Sequence, residues 1–249
     1  MRQVLLPNLL VLVLHFQQRP SATTNTPLTV GDWAAIGTAI GTFLLAIVAA
    51  FQDKIRAWLM RPDLQMSVRV AAPECQKTHA HFHGPAGIPD QAPCYYFRVM
   101  IENIGHTEAR QVEVFAAGLS RRRADGTFER VDRFNPMNLV WAHFRQPFLA
   151  VLSPRIPKMC DLAHIFHPNF KDYFGHALPG IAGIVLAFDL QVEPNTKGHL
   201  VGPGTYNLKL MVGAANAKPK EYNVEINFQG QWYDDETEML RDGFGLRII

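Results

Sequence analysis

Residues 95–114 read YYFRVMIENIGHTEARQVEV. Tyr95, Phe97, Val99 and Ile101 recur at every second position, the period of a strand with one face turned to a core. Asn103-Ile104-Gly105 follows as a turn in which glycine can supply a positive φ. Val112 and Val114 then resume the alternation, so the two arms are read as strands joined by a short turn.

The same signal extends both ways along the chain. Upstream, Leu64, Met66, Val68 and Val70 alternate with polar residues. Downstream, the arm through Val114 ends at Arg121-Arg122-Arg123. Asp125-Gly126 matches a two-residue hairpin turn, and Phe128, Arg130 and Asp132 begin the return. Asn138 to Trp141 and Lys158 to Ile165 are shorter strand candidates, and Ile184 to Val192, Tyr206 to Val212 and Tyr222 to Phe228 are later ones. Helical signals are confined to the N-terminal part and to Asp234-Asp235-Glu236, where acids complement a helix N-terminus and Met239-Leu240 could dock on the sheet. Short strands separated by turns bearing Gly and Pro, with no helices between them, predict a mainly β chain: an antiparallel sandwich or a partly open barrel over 64–249, with a short C-terminal helix.

Trp33 to Phe51, WAAIGTAIGTFLLAIVAAF, carries no formal charge. As a helix it would be about 28 Å long, close to the ~30 Å hydrocarbon core of a bilayer. Its polar groups, Thr38 and Thr42, can bond the preceding turn, and Trp33 and Trp58 flank it as interfacial anchors. The reading is a lipid-embedded span, 33–60 with its juxtamembrane extension. Lys54, Arg56 and Arg61 follow it and only Arg19 lies comparably close before it, so the positive-inside bias puts the C-terminal part in the cytoplasm, in a single-pass arrangement. Residues 1–22 contain a short apolar run interrupted by Pro7 and Asn8, resembling a signal peptide, with a second membrane segment or a mis-assigned start as other readings, and 23–32 form a Thr-rich linker. Gly37 and Gly41 make a G-x-x-x-G through which two copies of the span could associate.

Composition narrows the classes. Basic and acidic residues nearly cancel at +2, so no nucleic-acid partner is expected; 48% hydrophobic against 18% charged residues argues against disorder and for a membrane. Three cysteines exclude a disulfide-dense scaffold.

Tyr96 to Gly105, followed by Ala109 and Val112-Glu113-Val114, resembles immunoglobulin-like β-sandwiches of the cell-adhesion-related bacterial type, in which a strand ends in Asn-x-Gly and the next opens on alternating valines. Pro203-Gly204-Thr205-Tyr206 is similar to the turn leading into a late strand of those domains. The segment from Phe134 to Ile184 departs from that pattern. One anchor helix with one such domain is also similar to uncharacterised bacterial membrane-anchored proteins. The resemblance implies an Ig-like fold and names no activity.

Chemistry-bearing motifs are sparse. The chain has no Walker-type phosphate loop, no dinucleotide fingerprint, no G-x-S-x-G and no H-E-x-x-H. Cys75, His79, His81, His83 and Cys94 are residue types that hold zinc, and an extended 79–83 would put its three imidazoles on one face, but the set lacks a paired C-x-x-C and its Gly/Pro-rich flank reads as a surface loop. A Cys75–Cys94 disulfide would require the opposite topology. Cys160, Asp161, His164 and His167 form a second group; on a regular strand Asp161 and His167 point one way and His164 the other, so no catalytic set converges. Arg121, Arg122, Arg123, Arg130 and Arg133 crowd the Asp125-Gly126 hairpin and could hold a phosphate, a nucleotide or anionic headgroups, or merely protect an edge. Phe128, Phe134 and Trp141, near that cluster, are expected in the core.

Three functions are in keeping with this. The first is a non-enzymatic binding or interaction module on a bacterial inner membrane. The second is a ligand-gated membrane effector, similar by arrangement to antiphage effectors in which helices join a cyclic-oligonucleotide-binding β-barrel. The third is a zinc protein using the first histidine group.

Overall fold

The computed structural model describes residues 29–84 and 87–249. The segment 1–22 and most of the linker lie outside them.

Helix α1 spans Val30–Leu59. Thr29 caps it: its backbone N–H donates to Asp32 Oδ2 at 2.8 Å, and the Asp32 N–H returns to Thr29 Oγ1 at 3.3 Å, a reciprocal cap for the unsatisfied first turn. Thr38 and Thr42 hydroxyls donate to the carbonyls of Ala34 and Thr38 at 2.9 and 2.8 Å, which hides both polar groups in the helix itself. Residues Val30–Gln52 are long and apolar enough to cross a membrane, and none of their apolar window is buried among the described residues.

The remaining chain forms two antiparallel sheets from β1 (Leu64–Ser67), β2 (Cys75–His83), β3 (Pro89–Asn103), β4 (Ala109–Arg122), β5 (Phe128–Arg130), β6 (Met137–Asn138), β7 (Val140–Trp141), β8 (Phe148–Leu152), β9 (Lys158–Phe166), β10 (Leu186–Phe188), β11 (Leu200–Val201), β12 (Gly204–Ala214), β13 (Ala217–Phe228) and β14 (Phe244–Ile248). In the first sheet the order is β1-β3-β9-β10-β11, with β2 also on β3 and β7 also on β9. In the second it is β14-β13-β12-β4-β5, with β6 and β8 sharing the same edge of β4. The C-terminal turn is α2 (Glu236–Glu238), capped by Asp235, whose carboxylate accepts from Glu238 N at 2.9 Å, and Met239 behind it is fully buried.

The core lies between the sheets. Tyr95, Phe97, Val99 and Ile101 face Val112, Val114, Leu208, Leu210 and Ile226, and Phe97 of one sheet stacks on Phe244 of the other with centroids 3.5 Å apart. A second apolar layer covers the opposite face of the first sheet, where 167–183 folds back with Phe170, Phe174, Leu178 and Ile181 against Ala92, Cys94, Phe166, Val185 and Leu200.

Several expectations are corrected here. The stretch at His79–His83, expected as a loop, is strand, because its partner β3 is longer than the apolar run suggested and extends to Pro89. The hairpin at Asp125-Gly126 is wider than two residues: Arg123 N–H donates to Thr127 O and Gly126 N–H to Arg123 O. Gly105 is required by close approach rather than by φ, since a Cβ there would sit 2.5 Å from Arg61 O and Asp63 N. Phe134 and Trp141 are core, but Phe128 is 41% exposed. β14 carried no clear signal, being only five residues with a glycine inside.

Candidate binding site

Strand alternation divides the five arginines. Arg121 pairs in register with Tyr206 and Glu129 and takes the inward side at one end of the sandwich. Arg122, opposite Phe128, takes the other face, as does Arg130, opposite Ser120. Arg123 Nε is bonded to Glu129 Oε2 at 2.8 Å, so its charge is already matched, and the pairing holds the Glu129 carboxyl below its ordinary range. The expected single cluster therefore does not form. Arg133, in the loop after β5, joins Arg121 instead: both line a pocket of about 460 Å³ with Val131, Ile181, Val201 and Tyr206.

Neutral carbonyls hold the two guanidinium groups in place. Arg121 Nη2 donates to Pro203 O at 2.9 Å, and Arg133 Nη2 to Leu200 O at 3.2 Å. No carboxylate pairs with either among the described residues, so two fixed positive charges face one cavity with donors to spare. Tyr206 is 2% exposed, its hydroxyl donates to Gly202 O at 2.8 Å, and its ring lies 5.9 Å from the Arg121 guanidinium. Gly198 backs onto the same place, since a Cβ there would fall 1.8 Å from Arg133 O.

No protein-family model and no curated protein matches this chain. The site rests on its own geometry.

The zinc set does not assemble. His79, His81 and His83 do share one exposed face of β2, as alternation requires. Cys75 lies in register with Phe97 and enters the core between the sheets, whereas Cys94 is in register with Thr78, whose face also carries Ala80, Ala92 and Phe166 on the opposite side of the sheet. The thiols are on opposite faces, which also excludes their disulfide; all three cysteines are free and buried. Burial raises the Cys75 and Cys94 thiols to about 11 and about 12. Among the described residues no group of His, Cys, Asp or Glu is arranged to hold a metal ion.

The second group changes in the opposite sense. β9 carries a bulge: Phe97 pairs with Ala163 but Arg98 pairs with Asp161, so Leu162 is the extra residue. The bulge reverses parity and brings Asp161 and His164 to one face. There Arg98 Nε bonds Asp161 Oδ1 at 2.7 Å, and His164 Nδ1 lies 3.1 Å from both oxygens of Asp189. His176 from the covering segment stands 5.0 Å from His164, and His199 lies 6.4 Å beyond it, measured between ring centroids. Nδ1 of His176 and of His199 is buried without a partner. Burial, reinforced by His164, His199 and Lys197, lowers the His176 pKa to about 3, and burial lowers that of His199 too. Cys160 is fully buried against Val140 O, its pKa far above the ordinary value, and His167 caps a 3-10 turn by accepting from Asn169 N at 3.2 Å. Neither joins the cluster. Arg98, His176, Asp189 and His199 were not legible as site residues; the one signal was Asp189, a single carboxylate inside the apolar run IVLAFDLQV.

Proposed function

We propose that the chain is a membrane-anchored, non-enzymatic binding module, held by α1 in a bacterial inner membrane with an immunoglobulin-like sandwich on the cytoplasmic side. Its ligand is a small anion-bearing molecule, phosphate-containing or carboxylate-containing, taken up between Arg121 and Arg133. The observation that carries this reading is the convergence of those two guanidinium groups, free of carboxylate partners, on one pocket lined by Tyr206 and aliphatic side chains. The buried acid–base cluster supports binding over catalysis: Asp161, His164, His176, Asp189 and His199 are each at most 9% exposed, so a substrate would not reach them without local opening. Calorimetry on the detergent-solubilised full chain, first with inorganic phosphate and then with a panel of mono- and cyclic nucleotides and small dicarboxylates, tests it. Binding by at least one of these, weakened about tenfold or more in Arg121→Ala, is the expected result, since charge-assisted hydrogen bonds are among the strong ones. No binding by any panel member would overturn it.

The same pocket favours a second reading, a ligand-gated effector in which occupancy drives association of α1 through Gly37 and Gly41. That reading requires cell toxicity on expression with ligand and its loss in Gly41→Leu.

A further inference from the structure

The chain enters the sandwich at Met60, directly after α1, and four segments close that end. Thr107 Oγ1 donates to Met60 O at 2.6 Å, Asp63 N–H to Asn103 Oδ1 at 3.1 Å, and Ile104 N–H to Asp63 O at 2.8 Å. Arg155, in the β8–β9 loop, donates its N–H to Asn103 O, and the β12–β13 hairpin is fastened by Arg110 N–H to Asn216 Oδ1 at 2.9 Å and Asn216 Nδ2 to Glu108 O at 2.9 Å. The charge of these segments is one-sided. Arg61, Arg110, Arg155 and Lys218 lie there with Asp63 and Glu108, and both carboxylates are already engaged, Asp63 by Lys220 and Glu108 by Arg110, each at 2.6 Å; of the acids farther along the strands, Glu221 is paired with Lys209 and Glu113 is bonded to Asn138. In the same segments Met60 and Ile156 are 48% and 51% exposed.

We propose that this end of the sandwich rests on an anionic lipid surface, with Arg155 and Lys218 at headgroup phosphates and Ile156 at the acyl boundary. The proposal depends on the reading of α1 as a membrane span. Unpaired Lys and Arg around exposed aliphatic side chains form a surface that anionic headgroups match in charge and the interface matches in polarity. Chain connectivity keeps it within reach of whatever leaflet α1 leaves, and its charge extends the basic series of Lys54, Arg56 and Arg61 that the positive-inside bias assigns to the cytoplasmic, anionic leaflet.

The full chain is reconstituted into nanodiscs of phosphatidylcholine alone or with about a third phosphatidylglycerol, and amide exchange is followed at 153–157 and 213–218, with the hairpin 123–127 at the far end of β4 as internal control. Exchange at the first two segments slows at least several-fold with phosphatidylglycerol, recovers at high salt, and recovers in Arg155→Glu/Lys218→Glu, while 123–127 is unchanged. Equal exchange in both lipids, with the chain still in the disc, overturns the docking and leaves the span intact. A chain that elutes free of the discs overturns both.

Discussion

Arg98 and Asp161 form an ion pair at 2.7 Å with their side chains only 9% and 6% exposed, on the outer face of a sheet that the segment 167–183 then covers. The guanidinium also lies 5.0 Å from the Tyr96 ring. Burial, with Asp189 nearby, pushes the Asp161 carboxyl up, and Arg98 opposes it. A buried pair is costly to half-remove, because the survivor keeps its desolvation penalty without its partner.

Arg98→Met should therefore lose about 3–5 kcal/mol at neutral pH, measured by denaturant unfolding in detergent. The loss shrinks as pH falls, because the unpaired Asp161 is neutralised by a proton. Arg98→Met/Asp161→Leu should recover most of it. A double variant no better than the single one would show that the pair is not what holds these two residues.

His176 makes stability acid-sensitive. Its pKa is about 3 in the fold against an ordinary 6.5, so below about pH 6.5 the unfolded chain binds a proton that the native chain refuses. Stability is then present above that pH and is lost as pH falls toward 3, at up to about 1.4 kcal/mol per pH unit for this group, with His199 acting in the same sense. The raised Asp161 carboxyl acts in the opposite sense. His176→Phe keeps the ring among His164 and Phe166, removes an unpartnered nitrogen, and should flatten the profile between pH 7 and 5 without lowering Tm at pH 7. An unchanged slope would refute the assignment.

Gly198 admits no side chain without moving Arg133. Gly198→Ala should destabilise the fold by more than about 2 kcal/mol and weaken ligand binding in the surviving folded fraction, as read by thermal unfolding and calorimetry. Arg133→Ala should weaken binding alone. If Gly198→Ala left both unaltered, the loop carrying Arg133 would have to be loosely held.

The compartment can be read by thiol labelling, but the native cysteines are buried and will not report on it. Asp125→Cys, in the exposed hairpin turn, supplies a reporter. In intact cells it should resist a membrane-impermeant maleimide and react after the inner membrane is permeabilised. Labelling in cells whose outer membrane alone is opened would reverse the orientation.

The sequence by itself determined the parts that obey a local period. Tyr95 to Ile101, Val112 to Val114, Tyr206 to Val212 and Tyr222 to Phe228 had to be strands, and Trp33 to Phe51 a helix long and apolar enough for lipid, because side-chain direction follows from two-residue and helical repeats; the run Ile184 to Val192, whose hydrophobicity is nearly continuous, forms strand only over Leu186–Phe188. The Asp235 cap and the Thr38 and Thr42 hydroxyl bonds are likewise local. What the chain brings together at a distance was decided only in three dimensions. One extra residue, Leu162, reversed the parity of β9 and placed His164 beside Asp161, a change no alternation pattern announces. Register placed Cys75 and Cys94 on opposite faces and so dissolved a ligand set that only its residue types had suggested. Arg121 and Arg133 meet because a loop anchored to Leu200 returns to the end of β4, and their neighbour Tyr206 comes from a strand more than seventy residues from either. Contacts of that separation arise from packing and backbone hydrogen bonding across sheets, for which a linear pattern holds no distance.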